Sequence, residues 1–467
     1  MARKSPKGAF LKGVWPKGIL LVAALLVLAW LGARPALQVA TGYTAKQLCS
    51  GLKVSGLPEA LLWQADLLPR MAVMGPLRQW LQAGVRVDAD GVSSQLLGVH
   101  SRAYFEPGAG CTLHGKPSAG PAHLTGNRLV ALASPAGDGS LGPVLDAAFA
   151  EPGGRNTLAV LVSHRGRLVA ERYRAPVGAM TRLQGWSMNK SLMATWVGLQ
   201  VQRGALSLQA SAAEALLAAQ RDDLAASVDA GLNLGHLLHM ESGLDFKETY
   251  APGDDATDML YRRTAAWAVA PGRGQAHAPG THFSYSSGDT NLAALIWQQS
   301  LKGEDYRAWL HRELAEPLGL LMVAEADASG VQVGSSYAYL RGRDWLRMGQ
   351  LWLDAWHGRS NLLSQRWQRA AVTPRPAAAD GGYGRGFWLN SGGVSFPGLP
   401  SSLFYASGNS GQAVVVLPEQ ELVVVRLGLS ATGADTGLQA LLEGVMRELA
   451  GPRPSPTDYN EAGHAPE

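Results

Sequence analysis

Leu158-Ala-Val-Leu-Val-Ser-His-Arg-Gly-Arg-Leu-Val-Ala-Glu-Arg-Tyr173 and Gln412-Ala-Val-Val-Val-Leu-Pro-Glu-Gln-Glu-Leu-Val-Val-Val-Arg426 carry the reading of the fold. Each is an apolar, β-branched run broken by turn residues, at His164-Arg-Gly166 in the first and near Pro418 in the second, and each reads as a two-stranded hairpin. Between them the periodicity is helical: Ser191 to Gln202, ended by Gly204, and Asp344 to Trp356. Strands at both ends of a region with helices between them predict an α+β layer, in which the terminal strands share one antiparallel sheet with helices on both sides. No repeat of 20–50 residues is visible, which argues against solenoids and propellers.

Working outward, residues 43 to about 125 mix short apolar runs with glycine and proline and predict a small extension, 35–125, followed by a loop. The main domain is expected over 126–450, and the proline-rich, polar tail 451–467 is expected to be disordered. At the other end, Gly18 to Ala33 is uncharged and apolar, while Arg3, Lys4, Lys7, Lys12 and Lys17 precede it. Residues 1–34 therefore read as a cytoplasmic basic leader and a membrane anchor or signal, with residue 35 onward on the extracytoplasmic side; a retained anchor is favoured because the small residues of a cleavage site are poorly placed, and a cleaved signal is the alternative. The net charge of +4 and pI near 9.0 belong to that leader. Without its five cations, 36 basic residues face 37 acidic ones. The body has no basic surplus for a nucleic-acid partner. In an oxidising compartment Cys49 and Cys111, the only two cysteines of the 467 residues, are expected to form one disulfide.

The chemistry begins at Ser187-Met-Asn-Lys190. On a helix a hydroxyl and an amine three residues apart share a face. A lysine whose pKa burial lowers can take the serine proton. The following residues, Leu192 to Val201, are apolar nearly all round, so that helix should run through the core and leave Ser187 at its N-terminal end, where free N–H groups favour negative charge. Ser50-Gly-Leu-Lys53 has the same spacing without a buried helix after it and is read as surface structure. Downstream, Gly280-Thr-His-Phe-Ser-Tyr-Ser-Ser-Gly-Asp-Thr-Asn291 offers Tyr285 as a proton shuttle, and Ser407-Gly-Asn-Ser-Gly-Gln412 opens onto a strand that could present the Gln412 N–H to an oxyanion.

Serine then lysine, tyrosine-x-serine and a glycine-rich turn on a terminal strand resemble the three motifs of the serine β-lactamase and penicillin-binding-protein superfamily, across roughly residues 145 to 450. More narrowly, His236 to Phe246, Phe283 to Asn291 and Gly408 to Gln412 resemble the class C-like serine hydrolases, including the 6-aminohexanoate-dimer hydrolase and carboxylesterase branch. The resemblance implies a β-lactamase-like fold and no cofactor. It makes Ser187 the acylated nucleophile, Lys190 its base and Tyr285 the proton shuttle, with the N–H groups of Ser187 and Gln412 as the oxyanion hole. Ser287, Asn409, Ser410, Gly411 and Trp186 are expected to meet the substrate, with Trp388 a further lining residue. Where the family usually has lysine or histidine stands Asn409, and where the second motif often ends in asparagine stands Ser287. Losing the cation implies esters or amides rather than β-lactams or D-alanyl peptides.

Two other readings compete. His236 and His239, with Glu241, His277 and His282 nearby, suggest a metal hydrolase, although the spacing is not that of a zincin helix and no metal is expected. A membrane-tethered sensor that acylates and stops would keep the same residues. Asp245, Glu248 and Asp289 are open between a supporting role and solvated charge.

Overall fold

The computed structural model describes residues 15–117, 135, 137–378 and 381–449. The start of the basic leader, the loop expected near 116–121 beyond Pro117, and the tail 451–467 lie outside the described residues.

Both hairpins form. Strands β5 (Thr157–His164) and β6 (Arg167–Tyr173) make the first, and β12 (Gln412–Leu417) and β13 (Leu422–Gly428) the second. They join through β13 and β5, with Leu422 opposite His164 and Arg426 opposite Val160. With β11 (Phe404–Gly408) and the short β10 (Trp388–Leu389), they give one antiparallel sheet in the order β10-β11-β12-β13-β5-β6. The central strands are apolar on both faces because both faces are covered. Helix Gly342–His357 packs on one side, and helices Gly142–Phe149 and Leu438–Leu449 on the other. The fold is α+β with the terminal strands in one antiparallel sheet, as strands at both ends with helices between them predicted, and it is of the β-lactamase-like kind that the resemblance implied.

The helix expected from Ser191 to Gln202 spans Asn189–Gln202, and every residue from Asn189 to Gln200 is buried. It enters the core end-on, which a helix with an exposed polar stripe cannot do. A small third sheet, with β9 (Ala338–Arg341) between β7 (Arg182–Gln184) and β8 (Val323–Ala324), holds the chain that leads into it.

The N-terminal region departs from expectation. One helix, Trp15–Lys53, runs without a break through the apolar stretch 18–33 and into the body, so the boundary expected at residue 34 falls inside a continuous element. Ile19 to Ala29 are exposed and Trp30 is half-buried, whereas most of the helix from Leu37 onward is buried. The helix Ile19–Lys53 as a whole is long and apolar enough, by length and composition, to cross a membrane. A four-stranded sheet, β1 (Arg86–Asp88), β2 (Gly91–Leu96), β3 (Val99–Glu106) and β4 (Gly110–Leu113), wraps the buried half, and Cys49 is bonded to Cys111 across the contact. This region shares one hydrophobic core with the catalytic layers.

Ser50 corrects the sequence reading outright. It is fully buried, its hydroxyl donating to Glu325 Oε1 at 2.9 Å and accepting from Lys46 Nζ at 3.0 Å, and Lys46 pairs with Glu325. The partner one turn away is Lys46, on the N-terminal side, not Lys53. Glu325 also accepts from the Cys111 N–H at 2.7 Å, so one carboxylate clamps helix, disulfide strand and the third sheet together.

Candidate active site

Strand β7 delivers the chain to a tight turn at Gly185, whose N–H donates to Ala338 O. An ideal Cβ at Gly185 would lie 2.3 Å from the Trp345 ring, and one at Gly408 would lie 2.2 Å from Gly185 O. Two glycines therefore let β11 cross the turn at backbone contact distance. Trp186 follows with φ 49°, a left-handed conformation that L-residues other than glycine and asparagine rarely adopt. Ser187 sits on the next residue, in a single 3₁₀ turn (Trp186–Met188) that runs into helix Asn189–Gln202. Strain of this kind concentrates where a side chain must be held out for chemistry.

Lys190 Nζ lies 3.1 Å from Ser187 Oγ, 2.9 Å from Ser287 Oγ and 3.4 Å from Ser335 O. Among the described residues no carboxylate hydrogen-bonds it. Burial pushes its pKa down to about 8, with Glu248 acting in the opposite direction. Tyr285 completes the group: Lys190 Nζ stands 4.7 Å from its ring centre, and Ser187 acts on its phenol by lowering the pKa that burial raises. Burial, reinforced by Glu248, pushes the phenol well above its usual range. At neutral pH Lys190 can therefore lose its proton while Tyr285 keeps its own.

Trp388 stacks on Tyr285 with ring centres 5.0 Å apart, and Tyr383 packs edge-on to both. Glu248, whose role the sequence left open, accepts from the Ser287 N–H and hydroxyl, both at 2.6 Å, and from the Tyr250 hydroxyl at 2.5 Å. Asp289 is fully buried and accepts from Ser242 and Ser286 at 2.8 and 2.9 Å, with a pKa raised to about 7 by burial. Asp245 is exposed and takes no part. Tyr250 was missed altogether; a tyrosine in a loop carries no periodic signal.

Several expected roles change. Gln412 does not present its N–H to the site: that group donates to Asn409 O, and the side-chain amide exchanges hydrogen bonds with the Gly428 backbone at 2.5 and 3.0 Å. Asn409, Ser410 and Gly411 form the tip of the β11–β12 hairpin. Arg426 Nη1 donates to Gly411 O at 2.6 Å, and Arg70 Nη2 donates to Ser410 Oγ at 2.7 Å and Asn409 Oδ1 at 3.3 Å. A cation therefore does reach this turn, from the N-terminal region. Its Nε donates to Asp66 Oδ1 at 2.7 Å, and Asp66 also accepts from Tyr43. Trp186 is buried against that region, its ring 5.9 Å from the Arg70 guanidinium, rather than open to a cleft. Ser287 lies under Lys190 as part of the proton network.

The free edge of the site is β11. Asn390 N–H donates to Leu403 O, so Leu403, Tyr405 and Ser407 turn their backbone groups away from β12. Tyr405 faces Trp388 of β10, and Ser407 lies past the end of that strand, one residue before the crossing at Gly408.

The histidines are occupied elsewhere. His236 closes a capping box with Asn233, Arg385 Nε donates to His239 Nε2 at 3.0 Å, and His277 stacks on His282. Among the described residues no three His, Cys, Asp or Glu side chains converge as a metal site.

This arrangement agrees with what comparison finds. The Beta-lactamase family model matches residues 145–438. The chain belongs to the β-lactamase family. No curated protein sequence matches it. In fold it is similar to a Bacillus anthracis structure provisionally named a 6-aminohexanoate-dimer hydrolase, at 17% identity and TM-score 0.53, covering 63% of this chain and 79% of that one. It is also similar to a penicillin-binding-protein homologue from Caulobacter crescentus (16%, 0.53, covering 68% and 98%) and to a family VIII carboxylesterase (15%, 0.51, covering 68% and 99%). At these identities the likeness is one of fold. The family model ends at Leu438, the first residue of the last helix, and begins after the N-terminal region that holds Arg70 and the Lys46–Ser50 pair.

Proposed function

We propose that this chain is an exported, membrane-anchored serine hydrolase that cleaves an ester or amide through an acyl-enzyme on Ser187. The observation that carries the reading is the amine of Lys190, 3.1 Å from Ser187 Oγ, buried and, among the described residues, with no hydrogen-bonded carboxylate to hold its proton. Neutral Lys190 accepts the Ser187 proton as Oγ attacks the carbonyl carbon. The tetrahedral oxyanion collapses and expels the leaving group, which takes a proton relayed from Lys190 through Tyr285. Water, deprotonated along the same path, then attacks the acyl-enzyme and returns the proton to Ser187. Glu248, through Ser287, steadies the charge on Lys190 once it is protonated.

Since the Gln412 N–H is committed to its own turn, the reading assigns the second oxyanion donor to the Ser407 N–H, at the free edge of β11, beside the Ser187 N–H. The apolar helix and the Cys49–Cys111 bond support an extracytoplasmic body.

For substrate, neutral esters are favoured. Arg70 brings a positive charge near the third motif, but Asp66 matches it and Ser410 and Asn409 occupy its donors. The same arginine favours a second reading, in which a carboxylated substrate such as a β-lactam or a D-alanyl peptide displaces those partners. Comparing kcat/KM for a short acyl ester and a chromogenic cephalosporin separates them. Charge-assisted hydrogen bonds contribute about 1.5–3 kcal/mol, so the ester should lead by at least about tenfold. Faster cephalosporin turnover makes this a β-lactamase. A serine-directed probe that labels Ser187 and persists against every substrate, without turnover, makes it a sensor.

A further inference from the structure

The helix Trp15–Lys53 and the four-stranded sheet meet at a level that fixes how deep the body sits in a bilayer. The apolar stretch 18–33 spans about 24 Å at the rise of a helix. That is short of the roughly 30 Å of a hydrocarbon core. The body closes on the helix before that stretch ends, for Trp30 Nε1 donates to Leu97 O at 3.0 Å. Trp30 precedes Ala33 by three residues, so the contact lies about 4.5 Å inside the apolar segment. The Arg34 guanidinium, 5.7 Å from the Trp30 ring, stands where a headgroup phosphate would be.

Leu97 itself is unexplained by the fold. Leu96 pairs with Val99, so the β2–β3 loop is Leu97-Gly98, with φ 48° and 81°. That is the two-residue turn for which asparagine-glycine is the favoured sequence. A leucine there adopts a left-handed backbone and is 46% exposed. It serves neither the turn nor the core. Close by, Gln95 N–H donates to Gly84 O at the end of helix Leu77–Ala83, which carries Trp80 at 62% exposure.

We propose that the Leu97-Gly98 turn and Trp80 form a membrane collar that partitions into the leaflet nearest the body, beside the anchor helix and supplementing its short span. The inference rests on the reading of that helix as a membrane anchor. With the collar in place the catalytic layers are held at one height and tilt, since no linker separates anchor from core.

The test uses the intact chain reconstituted in phosphatidylcholine–phosphatidylglycerol vesicles that contain a diazirine phospholipid. After irradiation, adducts are located by peptide mass spectrometry. Residues 19–33 report the anchor separately. The peptides holding Leu97 and Trp80 should carry lipid, whereas Met180 and Val394, 61% and 68% exposed but far along the chain, should not. Leu97→Asn suits the turn better, so it should keep or raise Tm while lowering adducts on its peptide at least about threefold, in line with loss of one partitioned leucine. A labelled helix with the Leu97 and Trp80 peptides no richer in lipid than the controls overturns the collar, as does unchanged labelling in Leu97→Asn. An unlabelled helix overturns the anchor reading and the collar with it.

Discussion

Two serine–lysine pairs of nearly equal geometry lie among the described residues, Lys46 with Ser50 at 3.0 Å and Lys190 with Ser187 at 3.1 Å, and only the second has the surroundings that the proposed mechanism needs. Lys46 is fully buried and salt-bridged to Glu325, which also accepts the Ser50 hydroxyl. Its proton is held by a carboxylate, and no substrate can arrive. Lys190 is as deeply buried but has neutral oxygens for partners, while Ser187 keeps an open face beside the free edge of β11. Distance does not make a nucleophile. An amine desolvated without a directly bonded carboxylate can help one, provided the serine can be reached.

The contrast breaks most visibly under mutation of the serines. Ser187→Ala should lower kcat/KM for an acyl ester by about 10³–10⁴-fold and abolish labelling by a serine-directed probe. Its melting temperature should stay within about 2 °C of wild type, as expected for truncating one half-buried hydroxyl without opening a core cavity. Ser50→Ala should do the reverse: full activity per folded molecule, with unfolding free energy lower by about 1–3 kcal/mol because Glu325 and Lys46 each lose a partner. Loss of turnover in Ser50→Ala alone would invert the assignment.

Lys46→Met strips Glu325 of its counter-charge in a dry interior and should cost about 3–5 kcal/mol in urea unfolding. Lys46→Met combined with Glu325→Leu should recover much of that loss, which would identify the clamp as structural. Asp289 gives a smaller effect with a defined sign. Its pKa is raised to about 7 in the folded protein, against about 3.9 when unfolded. The folded state binds the extra proton between those values, so the stabilisation is complete below pH ~3.9 and lost as pH rises through ~7. Asp289→Asn should therefore be more stable than wild type at pH 8.5, by about 1–2 kcal/mol, and show a flatter pH dependence. The smallest effect sharpens the role of Lys190. kcat/KM should rise with pH and level off above about 8 as its amine loses a proton. Glu248→Gln should move that midpoint downward, because the carboxylate is what favours the charged amine. A profile unaffected by the substitution would assign the midpoint to another group.

The sheet was legible because its strands are short, β-branched and bounded by turn residues, and the nucleophile helix because it is apolar on every side. Ser187, Lys190 and Tyr285 stood out because local spacing alone brings the first two together and a turn-forming loop presents the third. The second oxyanion donor was misread at Gln412, since which N–H groups of β11 face outward depends on its register with β10 and β12, and register is a pairing property. Ser50 was misread because its partners, Lys46 and Glu325, lie on different elements, and burial cannot be seen one helix at a time.

What the sequence determined by itself is whatever repeats along the chain with a helical or strand period: the terminal strands, the buried helix, the i,i+3 serine and lysine, and the apolar N-terminal stretch after its basic residues. Tertiary structure alone decided which serine is reachable, that Arg70 rather than a residue of the third motif brings a cation, that Glu248 and Tyr250 join the hydrogen bonds around Ser287, and that the N-terminal helix continues into the core. Each of those depends on groups far apart in the chain meeting at a few ångströms in a medium where charge is costly, and neither distance across the fold nor desolvation is written in any local stretch of residues.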